Sequence, residues 1–489
     1  MKPRLLLVLL FLFLVGGVVL AQVDRHHSCF SMVVGKGAST DGSVLVAHNE
    51  DDYGRQLVNI FKVPRARHGA QEKVVLSPGA ELPQVPETWS YLWLEMRGMH
   101  FADCFLNEWG VVVASDACVS REEQGRLVGG GIAYWLRHLV AQRARTARGG
   151  VKLAGALIEQ FGYASSGRTY VIADPQEGWL LAAVRGSHWV AQRVPDDMMA
   201  VIPNYYTIGE VDLADTLNFL GATDLVDYAV ARGWYQPERD GAFNFAKVYS
   251  SPHQLTHPSN VNRMWRGVNL LADHSYPLDA QFPFSFRPRK NVSAQELMAV
   301  LRDHFEGTEL DKSQGYRKGS PHKTGEHTIC ASSTQFGFVA HLRSWLPTPM
   351  GAVLYLAPRR PDVQAFVPWY VGVQSAPAGY AVGDYAAALQ EHFAKPSWQG
   401  LTVENNAFVA FATLADKVDA DFGKRLPEVR QVWDTVEKDI FRVQQAFETN
   451  WLAVYKGSPA KAEKMLTDTT SALALKVWKL ARELLARMQ

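Results

Sequence analysis

Cysteine is scarce in this chain: four residues among 489, at positions 29, 104, 118 and 330. If Cys29 stays a free thiol, at most one disulfide forms and one further thiol is left over. The cysteine spacing does not match a zinc site. Excess charge of one sign is also missing. Fifty Lys and Arg against 49 Asp and Glu leave a formal net charge of +1, which argues for neither a nucleic acid nor a strongly acidic partner. Beyond residue 20 no apolar run is long enough to cross a bilayer. There is no His-Glu-x-x-His helix, no Gly-x-Ser-x-Gly elbow, no Gly-x-x-x-x-Gly-Lys-Ser/Thr loop and no Gly-x-Gly-x-x-Gly turn. The metalloprotease and serine-hydrolase readings therefore lack their residues. No internal repeat or low-complexity linker is present, and no metal or organic cofactor is called for.

What is present begins at the N-terminus. Lys2 and Arg4 precede an apolar core from Leu5 to Leu20, and Val19-Leu20-Ala21 fits a small-residue cleavage site. Residues 1–21 read as a signal peptide cut after Ala21; the alternative is an uncleaved membrane anchor. Cleavage implies a secreted or periplasmic protein with no stable membrane insertion. Residues 22–28, Gln-Val-Asp-Arg-His-His-Ser, read as a spacer or a propeptide.

Cys29 follows directly. If residues 22–28 are removed, it becomes the first residue, with a thiol and a free α-amine together. A free thiol has a pKa of about 8.5 and an α-amine about 7.7–8.0, so the amine is partly unprotonated at neutral pH and can take the thiol proton. The same thiol can attack the Ser28 carbonyl and release the propeptide. Cys29–Val34 and Ser43–Ala47 read as strands around a turn-rich segment, Gly35 to Gly42. Their pairing brings His48-Asn49-Glu50-Asp51-Asp52 back beside Cys29. A carboxylate there can orient the α-ammonium, and Asp51 is the choice.

Further along, strands are expected at 90–96, 100–106, 168–173, 179–184 and 189–194, with a hairpin turning on Asn107-Glu-Trp-Gly110. Helices are expected at 131–145, 151–160, 212–232, 258–273 and 294–305. From about 404 the chain is long, charged and amphipathic, with helices at 404–421, 427–447 and 460–488. These cover a sheet or form a dimer surface, and a homo-oligomer is one outcome. Strands, a helix pair and strands again suggest two sheets with helices outside them.

Cys29 through Asp51 resembles the N-terminal motif of the C69 family of cysteine dipeptidases, N-terminal-nucleophile hydrolases related to secernins and, more distantly, to bile-salt hydrolases and penicillin V acylases. Asn107-Glu-Trp-Gly-Val-Val-Val, Arg168-Thr-Tyr-Val-Ile-Ala-Asp-Pro, Ile202-Pro-Asn204, His304-Phe-Glu-Gly-Thr and the run from Cys330 to Pro347 resemble the same enzymes in order. The resemblance implies an α+β fold: a four-layer αββα sandwich over residues 29–400, with a helical C-terminal region at 401–489. It implies Cys29 as nucleophile and base, Asp51 as the holder of its amine, and Asn204 as an oxyanion-hole donor, a contribution of about 3–4 kcal/mol in other hydrolases. Arg263 matches a site arginine, with Arg266 as its rival.

Two departures stand out. His48 occupies the place of an arginine beside the thiol; an imidazolium there would restore the positive potential and make activity pH-sensitive. Asp116 stands where the amidase relatives have an asparagine. It would repel an oxyanion but suits a substrate ammonium, with Glu50 and Asp52 as rivals for that task. The leading expectation is a dipeptidase acting on small peptides through a thioester acyl-enzyme on Cys29. The alternatives are an N-acyl amide hydrolase of the penicillin V acylase or bile-salt hydrolase type, and a non-catalytic binding protein with the same fold.

Overall fold

The computed structural model describes residues 29–77 and 79–488. The expected signal peptide and propeptide, residues 1–28, lie outside the described residues.

Two antiparallel sheets dominate. The first runs, edge to edge, Met199–Ile202, Phe30–Val34, Val44–Asp51, Thr334–Leu342, Ala352–Pro358 and Val367–Tyr370. The second has eight strands, from Phe219–Gly221 through Trp189–Val194, Gly178–Gly186, Tyr163–Ala173, Val112–Ala117, Cys104–Asn107 and Tyr91–Met96 to Val58–Val63. Strands of both sheets are buried on both faces, which is why they read as apolar runs rather than as alternating patterns.

Tyr134–Arg143 and Ala147–Phe161 cover the outer face of the second sheet, and Leu136, Leu139, Val151 and Ile158 pack with Tyr170, Ile172 and Trp179. Pro258–Leu271 and Ala294–Val300 lie on the outer side of the first. The layer order is helix, sheet, sheet, helix: the expected αββα sandwich.

The C-terminal helices Ala407–Ala420, Phe422–Gly457 and Pro459–Arg487 share the core of the first sheet. Trp433 and Trp451 are fully buried, and Trp433 Nε1 donates to Val363 O at 2.9 Å. The second of these helices starts five residues earlier than the sequence suggests and carries Pro427 inside it.

Other boundaries also differ. The helix expected at 212–232 is a strand, Phe219–Gly221, followed by a short helix, Leu225–Ala231. Asp212 and Asp215 cause this. Their side chains accept from Ala214 N and Leu217 N, turn bonds that compete with helical ones. The helix expected at 294–305 stops at Val300, and the chain then turns so that Phe305 N donates to the Asp303 carboxylate at 2.8 Å. All four cysteines are buried free thiols.

Gly155 lets the helix Ala147–Phe161 approach the sheet, since a Cβ there would sit 2.0 Å from Trp189 Cζ2. Gly155→Ala is expected to destabilise the fold by about 1–3 kcal/mol through overpacking. Urea unfolding measures it, and an unchanged midpoint contradicts this packing.

Candidate active site

Side chains alternate across a strand, so parity decides which residues meet. A Cβ on Gly178 of the second sheet would lie 2.5 Å from Val33, and one on helical Gly267 would lie 2.7 Å from Phe30. Residues 29, 31 and 33 therefore face the second sheet, and residues 30 and 32 face the helices. Ser31 pairs with His48 across the ladder, which sets His48 and Glu50 on the inner side. The strand Val44–Asp51 is buried throughout, so its polar end is no solvated turn.

A hydrogen-bonded chain fills the space between the sheets. Cys29 Sγ donates to Glu50 Oε1 at 3.3 Å. Glu50 Oε2 lies 3.0 Å from His48 Nε2, and His48 Nδ1 lies 2.8 Å from Ser31 Oγ. Ser31 Oγ donates to Asp116 Oδ2 at 2.6 Å. Burial pushes Glu50 up to about 8, although Arg137, Arg168 and the thiol hydrogen bond pull it back. Burial pushes His48 down to about 4 despite Asp116 and Asp51. These opposite directions favour the neutral pair over the ion pair, and in that form Glu50 donates to Nε2 and Nδ1–H donates to Ser31. Every bond then points one way, from the thiol to Asp116. Burial thus works against the imidazolium expected at His48.

Burial, then Glu50, Asp116 and Asp51, hold the Cys29 thiol well above its usual range, and Arg168 opposes them. The thiol rests protonated and needs a base. Burial likewise lifts Asp52 and Asp116 each to about 7.

The remaining residues approach from the edge of the sheet. Arg263, fully buried on the helix Pro258–Leu271, donates through Nη1 to Cys29 O at 2.9 Å and through Nη2 to Asn204 Oδ1 at 2.8 Å. Arg266 instead clasps Asp303 with both Nε and Nη2, so geometry favours Arg263. Asn204 Nδ2 donates to Ala117 O at 2.9 Å, which uses one of its two N–H groups. Asp51 Oδ1 accepts from Thr334 Oγ1. Asp51 Oδ2 is buried without a hydrogen-bond partner, with His327 Nε2 at 3.6 Å. All seven candidates, Cys29, His48, Glu50, Asp51, Asp116, Asn204 and Arg263, thus converge on one end of the sandwich.

Sequence reasoning missed Ser31, Thr334 and His327. It quoted Arg168 only within a motif, yet this arginine donates to Ser115 Oγ at 3.1 Å beneath the site. Parity along the first strand was the one signal that pointed to Ser31.

The family model described as peptidase family C69 matches residues 28–422. The chain belongs to that family. It is 27% identical over 379 residues to a "Probable dipeptidase" of Salmonella dublin, covering 74% of this chain and 85% of that one. It is 26% identical over 413 residues to a "Probable dipeptidase" of Latilactobacillus sakei, covering 82% and 85%. Among solved structures it is similar to a penicillin V acylase from Agrobacterium tumefaciens, with TM-score 0.32, 12% identity and 68% and 83% of the two chains covered. A variant of conjugated bile acid hydrolase from Clostridium perfringens gives TM-score 0.30, 14% identity and 68% and 89%.

In this C69 member, Asp116 generates a pH prediction. Its proton is kept in the folded chain up to about pH 7, whereas the unfolded chain releases it near pH 4. The folded chain therefore holds more protons in that window, and stability falls as pH rises through it. Asp116→Asn removes the effect. It is expected to gain on the parent by on the order of 1 kcal/mol per pH unit across the window and to run level above it. Urea unfolding across the window measures the difference, and a difference independent of pH overturns the assignment.

Proposed function

We propose that the chain is a secreted or periplasmic dipeptidase whose nucleophile is Cys29, exposed as the first residue by removal of residues 22–28. The observation that carries this reading is the seat of Cys29. It enters the central strand with its thiol on a buried carboxylate and its carbonyl on Arg263. The unpartnered Asp51 Oδ2 supports a place for a cation such as the new α-ammonium.

In the precursor the Cys29 nitrogen is an amide and cannot act as base. Glu50 is the nearest acceptor, and the chain through His48 and Ser31 carries the thiol proton toward Asp116. The thiolate attacks the Ser28 carbonyl, and as the C–N bond breaks the same chain returns the proton through Glu50 to the Cys29 nitrogen. Water then cleaves the thioester and frees Ser28 as a carboxylate.

In the mature protein the α-amine takes the thiol proton, and the thiolate attacks the substrate carbonyl. The leaving amine departs with that proton, and water, deprotonated by the α-amine, resolves the acyl-enzyme. Asn204 would donate to the oxyanion. Asp51, with one oxygen lacking a hydrogen-bond partner, favours a substrate with a free amine, and Asp52 and Asp116 add to it above about pH 7.

Three measurements test this reading. Purified protein should begin at Cys29 by intact mass; a working enzyme that begins at Gln22 overturns the mechanism. Dipeptides should be cleaved and Cys29→Ala should abolish turnover, whereas cleavage of penicillin V or a conjugated bile acid alone rejects the dipeptidase reading. Glu50→Gln keeps the side chain's shape but accepts no proton, so conversion of precursor to mature mass should slow about 100-fold. Unchanged processing removes Glu50 as the precursor's base.

A further inference from the structure

A second buried cluster lies apart from the thiol. His304 follows the helix Ala294–Val300, His322 sits in the turn Pro321–Lys323, Cys330 precedes the strand Thr334–Leu342, and Asp362 sits in the turn Pro361–Val363. One donor atom from each lies within 4.8 Å of the others. The side chains of His304, His322 and Asp362 are 1%, 1% and 2% exposed.

The atoms facing the centre satisfy no one. His304 Nε2, His322 Nε2 and both Asp362 oxygens are buried without hydrogen-bond partners. Such orphans are costly, and four of them converging need a common partner. The contrast with the first site is direct. Cys29, His48 and Glu50 also lie close enough to share an ion, but they hydrogen-bond one another at 3.3 and 3.0 Å. Here His304 Nε2 and His322 Nε2 lie 3.5 and 3.7 Å from Asp362 Oδ2. These separations suit the edges of a tetrahedron with bonds of about 2.0–2.3 Å, which are about 3.3–3.8 Å long.

The outer contacts point the same way. His304 Nδ1 lies 3.0 Å from Glu306 Oε1, and His322 Nδ1 lies 2.8 Å from Asp419 Oδ1. A carboxylate on Nδ1 fixes the tautomer that turns a lone pair on Nε2 inward, the usual support of a metal-bound histidine. Arg360 Nη1 also lies 2.8 Å from that His322 nitrogen, but a guanidinium only donates, so with Nδ1–H given to Asp419 the arginine bonds Asp419 and not the ring; its Nε lies 3.5 Å from Asp362 Oδ1. Phe422 packs against both histidine rings and closes the pocket with apolar surface.

We propose that His304 Nε2, His322 Nε2, Cys330 Sγ and an Asp362 oxygen bind a zinc-class divalent ion. A thiolate and a carboxylate cancel the ion's charge, which suits a dry interior. The soft sulfur and the imidazoles select zinc-like metals over magnesium or calcium. Four protein ligands close the coordination shell, so the role is structural. The proposal sets aside the expectation of no metal. Cysteine spacing gave no signal because the set holds a single cysteine, with His304, His322 and Cys330 spread along one long connection and Asp362 beyond the next two strands. It does not depend on the catalytic reading of Cys29.

The test uses the purified protein, stripped with a chelator and titrated with Co²⁺ alone. About one Co²⁺ per chain should bind, with the intense visible bands of tetrahedral cobalt and a thiolate-to-cobalt charge-transfer band. Added Zn²⁺ should bleach both. Cys29→Ala should keep the full spectrum. Cys330→Ser should lose the charge-transfer band, and Asp362→Asn should bind cobalt at least about tenfold more weakly. No cobalt bound by the parent protein, a spectrum without the thiolate band, or a band that disappears in Cys29→Ala overturns the site. The parent spectrum and Cys29→Ala decide the matter even if the ligand variants fail to fold.

Discussion

The site depends on the pairing of Phe30–Val34 with Val44–Asp51. That ladder sets Ser31 opposite His48, so the thiol, the serine, the imidazole and Glu50 share the face between the sheets. A slip of one residue would send the whole set toward the helices and bring Phe30, Asn49 and Asp51 inward. The neighbouring strands fix the register. Asn49 reaches outward and donates to Leu301 O and Ile329 O, both at 2.9 Å, while Val33 seats against Gly178. A buried hydrogen-bonding residue and a close apolar contact on opposite faces together leave one alignment.

Electrostatics follow from that geometry. Glu50 and Asp116 are enclosed between two sheets, where full ionisation of both is costly. The structure answers in two ways. Protons stay on the carboxyls to unusually high pH, and arginines from other elements approach. Arg137 comes from a helix, Arg168 from a strand of the second sheet and Arg263 from the opposite helical layer. Arg168 acts on the thiol in the sense that an arginine at position 48 would have done. Positive potential at the thiol thus comes from across the sandwich, and His48 connects its neighbours by hydrogen bonds.

The sandwich was legible because its strands are apolar and the helix Ala147–Phe161 is strongly periodic. Cys29, Asp51 and Asn204 were legible from a motif, and Arg263 from the motif short of a rival. What stayed hidden arises from contacts distant in sequence. Nothing local distinguishes His327 from a solvated loop histidine; only the fold brings it to Asp51. Ser31 reads as one more strand residue until His48 and Asp116 flank it. Residues 212–232 misled for a local reason, because aspartate turns broke a sequence otherwise compatible with a helix. The four residues of the second cluster, His304, His322, Cys330 and Asp362, span 58 positions, a spacing no short pattern captures.

The loop between the two clusters ties them together. His327 and Thr334 both approach Asp51, and Cys330 stands between them in sequence. Ala331 N donates to Thr334 Oγ1 at 3.1 Å, and Thr328 Oγ1 donates to Cys330 O at 2.7 Å, so the loop is braced internally. Its outer end has no regular secondary structure to hold it. It is held instead by contacts from other elements: Cys330 N donates to Asp303 O and Asp52 N donates to Ser333 O, both at 3.0 Å. A carboxylate that must meet a newly formed ammonium needs its other oxygen held before that charge exists, because preorganisation rather than later adjustment sets how well the charge is received. The ladder that pairs Thr334 with Asp51 gives that oxygen its fixed position. Cys330 and Thr334 stand four residues apart on this loop, so the buried cluster and the carboxylate beside Cys29 share one braced segment.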